Sequence, residues 1–131
     1  DVIFALNLLE HLEKGRLVDL LEQARRCLAP GGVLVAMVPN ATSAYGGMTR
    51  YWDITHCTAF TPSSVTQLMR LCGFARAEFR EWGPVPHGLV SAMRFMAWQV
   101  IRAGTWLRLM IETGGGKGKV YTADMIFRLT K

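Results

Sequence analysis

D-V-I-F-A-L-N-L-L-E-H-L-E-K-G-R-L-V-D-L-L-E-Q-A-R-R-C-L-A-P-G-G-V-L-V-A-M-V-P-N, Asp1 to Asn40, is the stretch whose reading decides the fold. Asp1–Leu9 is an apolar run (Val2, Ile3, Phe4, Ala5, Leu6, Leu8, Leu9) broken only by Asn7. From about Glu13 to Ala29 the spacing turns helical. Leu17, Leu20, Leu21, Ala24 and Leu28 fall on one stripe, with Asp19, Glu22, Gln23, Arg25 and Arg26 away from it. Arg25 and Arg26 sit in the last turns, where positive charge suits the helix dipole. Pro30-Gly31-Gly32 stops the helix, and Val33–Val38 is a second short apolar run closed by Pro39 and Asn40. Two all-apolar strands joined by one helix predict a right-handed βαβ unit. Its parallel strands are expected to be buried on both faces, because a strand covered on one face alternates apolar with polar.

The rest of the chain reads as a continuation of that sheet. Ala41–Phe60 has no periodicity and is rich in Thr, Ser, Gly and aromatic residues. It is long for a plain connector, and such loops in compact domains are usually functional. Thr61-Pro62 predicts a second helix, with Thr61 as N-cap and Pro62 at the first position. Its stripe is Val65, Leu68, Met69 and Cys72, and Gly73 is its stop. Phe74–Trp82 alternates well enough for a strand with one wet face, and Gly83-Pro84-Val85-Pro86 breaks it. Leu89–Ile111 is dominated by apolar side chains but carries Arg94, Arg102 and Arg108. A charge at mid-membrane costs about 2.5–3.5 kcal/mol, against a return of about 0.3–0.6 for each Leu or Ile. A spanning helix is therefore not expected. Ser91, Arg94, Arg102, Thr105, Arg108 and Glu112 instead recur as one polar stripe on a long amphipathic helix, an insert covering 88–112. Gly114–Gly118 reads as a flexible connector, and Tyr121–Leu129 as the last strand.

The 131 residues make one domain or part of one, half of them hydrophobic, with net charge +5. The basic residues are scattered, so nucleic acid is not an expected partner. Cys27, Cys57 and Cys72 are far apart and odd in number, which gives neither a disulfide framework nor a zinc knuckle. A reduced, cytoplasmic setting follows, and the three thiols read as inert fillers. The chain opens on Asp1, directly before a strand that looks central, as a fragment of a longer domain would.

Ligands of open parallel sheets bind outside the carboxyl ends of the strands. Those ends are Asn7–His11 and Pro39–Asn40, and the aromatic loop should fold over the same edge. Position alone nominates Asn7, Glu10, His11, Asn40, Tyr51, Asp53 and His56. D-V-I-F-A-L-N-L-L-E-H-L at Asp1–Leu12 and L-A-P-G-G-V-L-V-A-M-V-P-N at Leu28–Asn40 resemble the second half of a class I S-adenosylmethionine-dependent methyltransferase. Y-W-D-I-T-H at Tyr51–His56, A-F-T-P at Ala59–Pro62, C-G-F at Cys72–Phe74 and E-T-G at Glu112–Gly114 strengthen the likeness. It covers essentially the whole chain and is strong for the superfamily but weak for substrate. It looks like the subgroup associated with cell-surface sugar and lipid biosynthesis, close to quinone-pathway O-methyltransferases.

The resemblance implies an α/β fold, the C-terminal half of a Rossmann-like sheet with strands in the order 4-5-7-6. The last strand would be antiparallel, and the two helices would share a face. It implies S-adenosylmethionine as cofactor, with Asn7, Leu8, His11 and Asn40 lining its pocket. His56 and Asp53 are the catalytic candidates, and Tyr51, Trp52 and Phe60 the substrate-binding ones. The family's Gly-rich cofactor turn and ribose-holding acid have no counterpart in this sequence, so the cofactor-binding half is expected to be missing and the isolated chain inactive. In some quinone-pathway relatives an acid at the position of Asn7 joins the equivalents of Glu10 and His11 around a metal. Asn7 argues against that metal, and none is expected.

Bland roles stay open beside these. His11 would brace the start of the first helix, Glu10 would be structural, and Asp53 and His56 would pair to hold the loop. The implied activity is methyl transfer to an oxygen of a sugar, lipid or quinone-like acceptor. Two other readings compete with it. One is a half-domain that associates with itself, as a homodimer, or with a partner through an exposed sheet edge. The other is a peripheral membrane module working through 89–111.

Overall fold

The computed structural model describes residues 1–115 and 120–131. Four strands, β1 (Val2–Leu6), β2 (Val33–Pro39), β3 (Arg76–Glu81) and β4 (Asp124–Thr130), form one sheet in the order β1-β2-β4-β3. β1 and β2 are parallel, with Val2 opposite Val33 and Leu6 opposite Met37. β4 runs antiparallel to both neighbours, placing Phe127 between Ala36 and Phe79. The helices are α1 (Lys14–Cys27), the short α2 (Gly46–Tyr51), α3 (Pro62–Leu71) and α4 (Leu89–Thr113), and a 3-10 turn spans Leu9–His11. Strand order and direction are those the resemblance implied. The Gly114–Gly118 connector lies partly outside the described residues.

The first strand is shorter than the apolar run suggested. Asn7 takes φ +49, a left-handed conformation that Asn tolerates better than most side chains. The chain therefore leaves the ladder after Leu6, with Asn7 N–H still donating to Met37 O, and coils Leu9 into the core. The loop expected over Ala41–Phe60 contains α2, and the last strand begins at Asp124 rather than Tyr121.

α1 and α3 lie side by side on one face of the sheet. Arg25 Nε donates to Gly73 O at 2.7 Å across them. Leu17, Leu21 and Ala24 from α1 and Val65 from α3 pack over Ala5, Leu34, Ala36, Val38, Met125, Phe127 and Leu129, all buried. α3 starts as its sequence dictates. Thr61 Oγ1 accepts from Ser64 N at 3.0 Å, and Ser64 Oγ accepts from Thr61 N at 2.9 Å, a reciprocal cap with Pro62 at the first position.

The expectation that β1 and β2 are buried on both faces is corrected. Val2, Phe4 and Leu6 stand 50%, 68% and 58% exposed, and β2 alternates buried with half-buried residues. Among the described residues the helices supply one covering layer, so the second apolar face faces outward. That face changes character across the sheet. It is apolar over β1 and β2, whereas over β3 and β4 it carries Glu78 paired with Arg76 at 2.9 Å and Arg128 at 3.6 Å. α4 does not cover it. The helix has no buried residue and is tied down by Arg102 Nε to Glu81 Oε2 at 2.7 Å. No helix among the described residues is long and apolar enough to cross a membrane.

Candidate functional site

The carboxyl ends of β1 and β2 open on one rim, and two segments meet there. The first is the turn Asn7–Leu12. The second is the end of the aromatic loop, residues 53–58. They are zipped together by backbone: Cys57 N and Thr58 N both donate to Glu10 O, at 2.7 and 3.0 Å, and Thr58 Oγ1 donates to Leu12 O at 2.9 Å. This clamp brings Glu10, His11 and His56 together, with one potential ligand atom from each lying within 4.8 Å of the others. The His11 and His56 rings meet edge to face with centroids 4.8 Å apart.

Hydrogen bonds fix how each ring is presented. The Thr49 carbonyl, 2.9 Å from His56 Nδ1, can only accept. His56 Nδ1 therefore carries the proton, and in the neutral ring Nε2 keeps the lone pair. Thr55 Oγ1 donates to Asp53 Oδ1 at 2.6 Å, so it accepts from His11 Nδ1 at 2.8 Å, and His11 is left in the same tautomer. Asp53 and His56 do not pair through their side chains. Asp53 Oδ1 takes the Thr55 hydroxyl and the Thr55 N–H, and these bonds hold its carboxyl below the usual aspartate range. Asp53 thus acts on the site at one remove, by orienting Thr55 and through it His11.

Glu10 is almost wholly buried, at 2% exposure, and burial pushes its carboxyl above the usual range. The charge of Asp124 pushes in the same direction, while His11 and His56 oppose it. Asp124, at the mouth of β4, is itself raised by burial. Sequence reasoning missed it. The available signal was an acid immediately before the apolar run Met125–Phe127.

The other nominated residues separate clearly. Asn7 and Leu8 stand exposed on the rim, and Tyr51 and Trp52 are 80% and 75% exposed on the loop. Phe60 is 1% exposed inside the core, so its ring packs rather than facing a ligand. Asn40 is completely buried, and its amide is fully spent. Nδ2 donates to Val120 O and Thr122 O at 2.9 and 3.0 Å, and Oδ1 accepts from Thr42 N and Thr42 Oγ1 at 3.1 and 2.6 Å. No donor or acceptor remains on that side chain for a cofactor. Its position at the rim reflects a structural bolt between the end of β2 and the approach to β4. A cleft of about 620 Å³ between α1 and α3, lined by Lys14, Leu17, Phe60, Ser64, Gln67 and Leu71, contains none of the rim's acids or histidines.

Solved structures share this architecture over all of the chain. One is a SAM-dependent methyltransferase from Archaeoglobus fulgidus, 18% identical with TM-score 0.65, of which the chain spans 59%. Another, from Thermotoga maritima, is described as a SAM-dependent methyltransferase and possible histamine N-methyltransferase. It is 15% identical with TM-score 0.61, and 56% of it is spanned. A small RNA methyltransferase matches at 15% identity and TM-score 0.58 over 14% of its length. The chain therefore spans little more than half of even the first two. No curated protein matches this sequence. The family model for the methyltransferase domain matches residues 1–78, the segment that builds β1, α1, β2, the loop, α3 and the start of β3. With that match over more than half its length, the chain belongs to the methyltransferase-domain family.

Proposed function

We propose that the intact protein is an S-adenosylmethionine-dependent methyltransferase acting on an oxygen of a small acceptor, in the class of sugars, lipids or quinone-like molecules. The observation that carries this reading is the clamp of residues 53–58 onto Glu10 at the carboxyl ends of two parallel strands. It sets His56, 8% exposed, at the rim where such sheets bind ligands. Asn7, Leu8 and His11 stand at the same rim and fit one wall of a cofactor pocket, whereas Asn40 does not contribute. The Gly-rich turn and ribose-holding acid of this family are not in the sequence, so the 131-residue chain by itself is proposed to be inactive.

The cofactor, when bound, supplies the activated methyl group. The residues of this chain position the acceptor and take its proton. His56 Nε2 holds a lone pair because Thr49 O engages Nδ1, which suits it to accept the hydroxyl proton as the oxygen attacks. Tyr51 and Trp52 offer exposed rings for holding the acceptor over the rim. Most of the rate gain in such a transfer comes from positioning. In the full-length protein, His56→Gln should lower kcat by about 10²–10⁴-fold, the range of a general base, with the KM for S-adenosylmethionine little changed. An unchanged kcat across hydroxylated acceptors would remove His56 from the chemistry.

A second reading rests on the open face. Val2, Phe4 and Leu6 expose apolar side chains on a strand that also has an unpaired edge, a surface suited to strand pairing or to burial against another unit. α4 adds exposed Leu89, Val90, Met96, Val100 and Ile111 beside Arg94, a surface suited to lipid. Sedimentation of the isolated chain as a monomer would discard self-association. Failure to co-sediment with anionic vesicles at low salt would discard the membrane role.

A further inference from the structure

We propose that Glu10, His11 and His56 form a binding site for a divalent first-row transition ion of the zinc class. Two independent observations support it. The first is the convergence of three ligand types within 4.8 Å. The second is Glu10 Oε2, buried and without a hydrogen-bond partner among the described residues, on a side chain only 2% exposed. An unpartnered buried carboxylate oxygen is costly to maintain, and a cation is a partner that would satisfy it.

The rings are prepared in the same sense. Metal-bound imidazole commonly donates its other ring N–H to a carbonyl, carboxylate or hydroxyl, which fixes the tautomer and the ring plane. Here Thr49 O engages His56 Nδ1, and Thr55 Oγ1 engages His11 Nδ1. Both rings keep the Nε2 lone pair as donor. Thr55 is itself held by Asp53, so the sequence Asp53–Thr55–His11 is an outer support reaching the site. Two neutral imidazoles and one carboxylate suit Zn²⁺, Co²⁺ or Fe²⁺ and poorly suit Mg²⁺, which prefers all-oxygen ligands. Three protein donors leave a zinc-class ion at least one further position.

The third donor is not the strand-end residue. Asn7 is exposed on the rim and offers no carboxylate, while His56 arrives from the loop. A cation held by His56 Nε2 uses the lone pair assigned above to proton transfer, so one molecule cannot use it for both.

The test is binding alone, without cofactor or acceptor, so its failure leaves methyl transfer standing and the reverse also holds. Purified full-length protein, stripped with chelator, is titrated with Co²⁺ while d–d absorption is followed. The expected result is a saturable 1:1 spectrum that Zn²⁺ abolishes and millimolar Mg²⁺ does not. Thr55→Val, an exposed change, should weaken Co²⁺ by about 10- to 100-fold, the range for an outer-shell partner. Glu10→Gln, which keeps the side-chain shape, should weaken it further, and His87→Ala, away from the site, should leave it unchanged. Absence of a spectrum, displacement by Mg²⁺, or equal Co²⁺ affinity in wild type, Thr55→Val and Glu10→Gln would overturn the proposal.

Discussion

Replacing Asn40 by Ala separates a structural bolt from a cofactor ligand. The substitution deletes an amide that is 0% exposed and makes four hydrogen bonds. Thr42 is exposed, so water can replace what its N–H and hydroxyl lose. Val120 and Thr122 are buried, and their carbonyls lose the donors that Nδ2 supplied. At about 1–3 kcal/mol for each buried group left unmatched, the expected loss is about 2–6 kcal/mol. That is a large share of the roughly 5–15 kcal/mol a domain has. Asn40→Asp should be no milder, since it keeps the acceptor for Thr42 but turns carboxylate lone pairs toward two carbonyls. Urea unfolding of the full-length protein gives the stability change. Calorimetric titration with S-adenosylhomocysteine, at a temperature where the variant is folded, gives the affinity. A loss below about 1 kcal/mol together with a collapse in affinity would refute the reasoning and return Asn40 to the pocket.

The core has one covered face, and paired substitutions test it. Phe127→Ala, at a site 2% exposed, should cost about 3–5 kcal/mol in denaturant unfolding of the isolated chain. Phe4→Ser, at 68% exposure, should cost less than about 1 kcal/mol there, and a large loss would mean that the outer face is covered. Asp124 supplies a pH signature. Its folded-state carboxyl titrates above the unfolded value because it is buried, so its destabilising contribution is absent at low pH and grows as pH rises through the raised value. Asp124→Asn should flatten that part of the stability–pH curve, and an identical slope in wild type and variant would contradict it.

Much of the fold was legible because apolar periodicity reports burial. The runs Val2–Leu6 and Val33–Val38, the α1 stripe and the Thr61-Pro62 start all emerged where the residues placed them. The position of β4 between β2 and β3 came from the family resemblance, since no local pattern tells a strand which neighbours it will have. The end of β1 was misjudged because Leu8 and Leu9 prolong the apolar run, while the decisive feature is a left-handed Asn7. Apolar residues on alternate positions say that a face avoids water in the finished protein, and they do not say what covers it.

At the rim, sequence brought the right segments together and misassigned several roles. Glu10, His11 and His56 were nominated, and they converge. Asp53 was expected to act on His56, yet its bonds go to Thr55, a residue without periodic or motif signal. Asn40 and Phe60 lie at strand ends and loop ends, which suggested a ligand, whereas their burial is set by long-range partners such as Val120 and Thr122. Residues brought together from positions 10, 56 and 124 cannot be ranked before the chain closes.

The central claim, that the rim of β1 and β2 is the wall of an S-adenosylmethionine pocket, is tested most directly by hydrogen–deuterium exchange of the full-length protein with and without S-adenosylhomocysteine. Slowed exchange is expected in residues 7–12 and 49–58, with α4 unchanged. Saturating ligand that leaves both segments unprotected, or protects α4 alone, would contradict it.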